Sequence, residues 1–209
     1  MNSQRFDIFP TPIMVFHNLG VLDEVQSFID TLDPQKRVRN FHTDDTVLIT
    51  FKKMILECVT EYFKPYYEFS SVNIKACWVT SNNFLEGMGT HNHMSCVVNG
   101  IYYINSAPLC GDLILLDPRG GTTWPETEEY NNLNITTSDK RLESGGKRMY
   151  RISPEPDKFV VFPAYMMHTV EINLNPTFRR RSIGLNFEFI RYFVPICNRS
   201  FVISEVSGH

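Results

Sequence analysis

The chain has 209 residues, 43% of them apolar, enough for one continuous hydrophobic core, and its five scattered cysteines exclude a small disulfide-stapled scaffold. A formal charge of −3 provides no global positive field, so nucleic acid is not indicated as a partner and an anionic membrane is not favoured. The first apolar stretch, Ile8 to Phe16, is broken by Pro10 and Pro12, and no later run reaches the roughly 20 apolar residues of a membrane span, so a soluble chain without a secretory signal is expected. Cys58, Cys77, Cys96, Cys110 and Cys197 never form a Cys-x-x-Cys pair, which fits reduced thiols in a cytosol-like compartment. The sequons at Asn134 and Asn198 are then chance matches.

In chain order, Val21 to Leu32 carries Val21, Val25, Phe28, Ile29 and Leu32 at three- and four-residue spacing and predicts an amphipathic helix. Asp45 to Phe63 repeats that period through Leu48, Phe51, Ile55, Cys58, Val59 and Tyr62, and stops before Pro65. From Ser71 the pattern becomes extended. Strands are predicted at Asn73 to Thr80, Met94 to Ile104, Asp112 to Leu116, Arg148 to Ser153, Lys158 to Phe162, His168 to Leu174 and Arg180 to Ile190. Helices followed by strands imply an α+β, mainly β chain, 1–209 as a single domain, with the N-terminal helices buttressing a sandwich or barrel. Asp117 to Gly146 lacks periodicity and is expected to be a functional lid, and Ser200 to His209 is either a last strand or a frayed end. Asn99-Gly100 permits two readings, a hairpin turn or a strand glycine that admits a close neighbour.

Chemistry concentrates on three histidines. In an extended chain His91 and His93 point to one face and can present two imidazoles to one metal ion, although such a pair also occurs as ordinary polar residues. His168 lies between apolar segments, where a histidine is either a hydrogen-bonded core residue or a ligand. Arg180, Ser182, Gly184 and Asn186 share one face of the last strand, and an inward guanidinium there needs an anionic ligand or one of the protein's own acids. Arg179 and Arg181 alternate away from it. Lys140, Arg141, Lys147, Arg148 and Arg151 form a basic cluster that reads either as a solvated face or as a grip on an acidic substrate.

The set resembles the 2-oxoglutarate and iron(II)-dependent oxygenases of bacteria and tailed phages, relatives of the prolyl hydroxylase group, from about Phe9 to Phe189. The motifs that carry the likeness stand in order: Ile8-Phe9-Pro10-Thr11-Pro12, Cys77-Trp78-Val79, His91-Asn92-His93, Asn99-Gly100-Ile101-Tyr102-Tyr103-Ile104-Asn105, Asp117-Pro118-Arg119, Phe162-Pro163 to His168, and Arg180 to Asn186. The resemblance implies a double-stranded β-helix (jelly-roll, cupin-like) core. It also implies iron(II) on His91, His93 and His168, and 2-oxoglutarate and O2 as co-reactants. The far carboxylate of 2-oxoglutarate would meet Arg180 and Tyr103, with Ser182, Asn186 and Trp78 lining the pocket, Trp78 reading equally well as a core aromatic; no catalytic residue beyond the metal site is implied. The chain departs from the wider superfamily in placing His93 where an acidic ligand usually stands, with Asp117 as an alternative carboxylate.

Two rival readings accompany this one: a three-histidine dioxygenase that does not use 2-oxoglutarate, and a non-catalytic β-helix serving as a binding or assembly module. The primary substrate and the oligomeric state are not encoded in any motif here, since pocket walls come from loops and sequence does not tell whether a strand edge is free to pair with another chain, which leaves an oligomer open. Cytoplasmic placement is expected, the host cytoplasm if the chain is phage-encoded.

Overall fold

A computed structural model describes residues 11–32, 38–40, 47–63, 71–118 and 149–190. The lid segment beyond Pro118, the basic residues Lys140, Arg141, Lys147 and Arg148, Cys197 and the tail from Ser200 lie outside the described residues. So do Ile8, Phe9 and Pro10 of the opening motif.

After a short strand β1 (Met14–Phe16), helix α1 (Leu22–Asp30) buries Val25 and Ile29, the face its periodicity predicts. Helix α2 (Ile49–Phe63) begins later than expected because Leu48 takes the left-handed conformation, φ 57°, which a continuing right-handed helix does not tolerate. Its exposed first amides are satisfied from α1: Thr50 N–H and Phe51 N–H donate to the two carboxylate oxygens of Glu24 at 3.1 and 2.8 Å. A negative group at that helix end also suits the helix dipole.

The strands form two antiparallel sheets. The first has the order β1-β8-β5-β10-β3-β2, with β2 (Val38–Asn40), β3 (Ser71–Asn82), β5 (Val98–Tyr103), β8 (Lys158–Pro163) and β10 (Arg180–Ile190). The second has the order β4-β9-β6-β7, with β4 (Met88–His91), β6 (Leu113–Leu116), β7 (Met149–Ile152) and β9 (His168–Val170). Period-two alternation sorts the first sheet's residues into two cores. Its outer face sends Cys77, Val79, Tyr102, Phe159, Val161, Ile183, Leu185 and Phe187 against Val25, Ile29, Phe51, Ile55 and Phe63 of the helices. Its inner face sends Tyr103, Val160 and Phe162 against Leu113, Leu115 and Ile152 of the second sheet. β8 serves both cores and is buried along its whole length, so its sequence is a continuous apolar run after Lys158 rather than an alternating one.

The α+β, mainly β, jelly-roll arrangement with helices on one face is as expected, and the differences are local. The strand predicted from Met94 starts only at Val98; that predicted over His168 to Leu174 ends at Val170; β1, β2 and β4 carry no recognisable pattern at three or four residues each. Asn99-Gly100 makes no hairpin: both lie inside β5, paired with β8 and β10. A methyl group on Gly100 would come within 2.6 Å of the Phe159 ring, so the close neighbour there is a core aromatic and not a ligand.

Candidate active site

His91 ends β4, His168 opens β9, and the two are register partners across that antiparallel pair. Directly opposed residues on neighbouring strands hold their side chains together, which brings the ring centroids to 4.3 Å. His93 arrives differently. β4 stops at His91, so the expected extended His-x-His ladder is not what aligns the pair. Instead the backbone N–H of His93 donates to the Ala164 carbonyl at 3.0 Å, just past the end of β8. Its ring then stands 5.1 Å from that of His91 and 5.3 Å from that of His168. One donor nitrogen from each ring lies within 4.8 Å of the others, and among the described residues this is the group that could hold a metal ion. Asp117, the alternative carboxylate, is not part of it.

Each ring is oriented by a hydrogen bond from its Nδ1–H. His91 donates to the Gly89 carbonyl at 2.8 Å, His168 to the Met166 carbonyl at 3.0 Å, and His93 to Asn186 Oδ1 at 2.8 Å. Oxygen acceptors fix the proton on Nδ1, so Nε2 carries the free lone pair on all three rings. Burial favours the neutral form of two of these rings. It lowers the His168 pKa to about 4, and it lowers that of His93 as well, against the opposing bond to Asn186. Phe162 packs edge-on against His168 at 4.9 Å, and Trp78 stacks on His93 at 5.7 Å with the planes 17° apart. Trp78 can lie there because Gly184, its register partner on β10, has no side chain; an added methyl would fall inside the indole. Three imidazoles with pre-set Nε2 lone pairs suit a divalent first-row metal such as iron(II).

A cavity runs from these rings between the sheets, walled by Trp78, Thr80, Tyr103, Ser182 and, at its far end, Arg180. Arg180 is 1% exposed. Sequence reasoning left two partners open for it, a ligand anion or an internal acid, and among the described residues no carboxylate forms an ion pair with it. Its Nη1 donates to the carbonyls of Cys110 at 2.6 Å, Gly111 at 2.9 Å and Glu171 at 3.3 Å, and its Nη2 to Asn82 Oδ1 at 3.1 Å. Gly111 is required there: its φ is 86°, and a Cβ would stand 2.8 Å from Nη1. Burial pulls the Arg180 pKa down while Tyr103, Cys110, Asp112 and Glu171 oppose that shift; an arginine still carries its charge. Tyr103 is buried beside it with its phenol held protonated. A buried guanidinium solvated by carbonyls, with no carboxylate in direct contact among the described residues, fits one carboxylate of a ligand.

Of the residues expected in the pocket, Arg180, Tyr103, Ser182 and Trp78 line this cavity, whereas Asn186 does not: its side-chain oxygen is occupied by His93. Arg181 turns away, 3.8 Å from Asp30, and Arg151 of the basic cluster pairs with Glu171 at 2.5 Å. Neither Asn82 nor Asn99 is placed in the pocket by the sequence. Both belong to the cavity wall; Asn82 extends the inward series Trp78, Thr80 by one more alternation, past the predicted strand end.

Residues 76–186 match a family model described as "Putative 2OG-Fe(II) oxygenase". No curated protein sequence matches the chain. Among solved structures, HygX from Streptomyces hygroscopicus with nickel and 2-oxoglutarate bound aligns with a TM-score of 0.59 at 12% identity, over 88% of this chain and 83% of that one. An oxidoreductase of the 2OG-Fe(II) oxygenase family from Burkholderia pseudomallei aligns with a TM-score of 0.58 at 12% identity, over 85% and 84%. EctD from S. alaskensis aligns with a TM-score of 0.58 at 13% identity, over 86% and 73%. At these identities the likeness is one of fold.

Proposed function

We infer the function from family and geometry together: the chain belongs to the 2OG-Fe(II) oxygenase family and is a non-haem iron(II), 2-oxoglutarate-dependent oxygenase. His91, His93 and His168 hold the iron through Nε2. Arg180 receives the far carboxylate of 2-oxoglutarate, with Tyr103 and Ser182 beside it and Trp78 as the wall toward His93. Asn186 is reassigned from pocket wall to support of His93. The observation that carries this reading is the convergence of one donor nitrogen from each of three rings, each ring fixed through Nδ1, at one end of a cavity whose other end is a buried guanidinium with no direct ion pair among the described residues.

When bound, iron and 2-oxoglutarate supply O2 activation coupled to decarboxylation of the cosubstrate to succinate and carbon dioxide, which provides the oxidant for a substrate C–H bond. The chain's own residues do the rest. The Gly89 and Met166 carbonyls and Asn186 hold the Nδ1 protons in place, so no ligand must change tautomer on loading. Burial of His168 keeps a proton from competing for its Nε2 at neutral pH. Arg180, held by carbonyls before any ligand arrives, orients the cosubstrate without reorganising. Cys58, Cys77, Cys96 and Cys110 are free thiols, which supports placement in a reducing, cytosolic compartment.

Anaerobic iron(II) titration with and without 2-oxoglutarate tests the assignment. A weak visible charge-transfer band that needs all three of protein, iron and cosubstrate is expected. Iron binding without that band would transfer the assignment to a three-histidine oxygenase that does not use 2-oxoglutarate.

A further inference from the structure

Asn82 is 2% exposed, lines the cavity, and its Nδ2 has no hydrogen-bond partner. A buried amide rarely leaves a donor unmade, because the lost hydration is not replaced. Nor can the amide turn over to relieve it. Oδ1 accepts from Arg180 Nη2 at 3.1 Å, and a guanidinium only donates, so Nδ2 must be the atom left over. Asn82 is also the register partner of Arg180, which puts the two side chains side by side on the cavity wall.

Arg180 shows why a second donor is needed. Its Nη1 is committed to the Cys110, Gly111 and Glu171 carbonyls, so the end-on fork in which Nη1 and Nη2 each take one oxygen of a carboxylate is closed. Nη2 retains one N–H beyond the one given to Asn82. A carboxylate arriving at Nη2 therefore meets its one remaining N–H and, adjacent to it, the unpaired Nδ2–H of Asn82.

We propose that Asn82 is a cosubstrate-binding residue: together with Arg180 Nη2 it forms a mixed amide–guanidinium clamp on the distal carboxylate of 2-oxoglutarate. This rests on the 2-oxoglutarate reading above. Asn82 supplies one of four acceptors to Arg180, and the three carbonyls keep the guanidinium in place when it is replaced.

The test measures binding to the anaerobic iron(II)-loaded protein by calorimetry, with 2-oxoglutarate and with 2-oxopentanoate, which has the same chain length and lacks the distal carboxylate. In Asn82→Leu, affinity for 2-oxoglutarate is expected to fall about tenfold or more, and affinity for 2-oxopentanoate to stay within about twofold of the parent value. Equal affinity for 2-oxoglutarate in parent and variant, or equal losses for both ligands, overturns the proposal. A parent protein that binds no 2-oxoglutarate in the presence of iron overturns the oxygenase reading itself, and this proposal with it. Should the variant fail to fold, the parent decides. In the 15N-labelled, zinc(II)-loaded protein, the Asn82 side-chain amide protons are expected to move downfield on adding 2-oxoglutarate and not on adding 2-oxopentanoate; unmoved protons overturn the clamp.

Discussion

The two ends of the cavity are built on opposite plans. At the histidine end the free ring atoms are lone pairs, His91 and His93 are only partly enclosed while His168 is buried, and each ring is steered by one hydrogen bond to an oxygen. At the arginine end the free atoms are N–H groups, the charge is positive and fully enclosed, and a single cation is held by four acceptors. One end suits a cation and the other an anion. Neutral ligands need little support because leaving them in place costs little, whereas a buried charge must be solvated by the protein before any ligand comes. The site is therefore tuned at the histidine end by orientation and at the arginine end by burial.

The sharpest way to break that contrast is to disable one end and read the other. His91→Ala removes a half-exposed ligand and is expected to weaken iron(II) binding by more than about a hundredfold, beyond the 10–100-fold typical of losing a supporting group. Its unfolding free energy should stay within about 1 kcal/mol of the parent in denaturant titration. Arg180→Ala does the reverse. Iron binding should persist, 2-oxoglutarate affinity should fall roughly hundredfold, and the orphaned carbonyls of Cys110, Gly111 and Glu171 should cost roughly 2–4 kcal/mol of stability. Retained 2-oxoglutarate binding in that variant would erase the division between the ends.

Acid sharpens the contrast without mutation. His168 accepts a proton only near pH 4 when folded, whereas the unfolded imidazole does so near 6.5. Below 6.5 the unfolded state binds the extra proton, so the metal-free protein should lose up to about 3 kcal/mol as pH falls from about 6.5 to about 4. A folding stability that stays flat over that window, measured by denaturant titration at each pH, would show that His168 is solvated in the folded chain. The smallest expected effect concerns orientation alone. Asn186→Ala frees the His93 ring and should weaken iron(II) about tenfold, with Asn186→Asp restoring most of it because the acceptor returns.

Much of this was legible in the sequence, and the omissions have physical reasons. His91, His93, His168 and Arg180 stand out because imidazole and guanidinium are ligating and anion-binding groups, and the inward face of β10 follows from alternation. The means that aligns them was hidden. β4 is four residues long with a glycine inside it, so neither its existence nor the His91–His168 pairing left a pattern. His93 is set by a backbone bond to Ala164, and Arg180 by backbone carbonyls, and backbone acceptors leave no mark on residue identity. Asn186 shares the expected face of β10 while its amide oxygen serves His93, because alternation gives direction and not partner. The late start of α2 followed from Leu48 in a conformation that nothing in its identity advertises.

The nest around Arg180 also bears on the order of assembly. The guanidinium joins positions 98, 70 and 9 residues away along the chain, so it finds all its acceptors only after the most distant segments have closed on one another. Until then the charge is better left in water. Entry of this one side chain is thus a late, all-or-nothing event, and a protein that has not finished folding has no place for its cosubstrate.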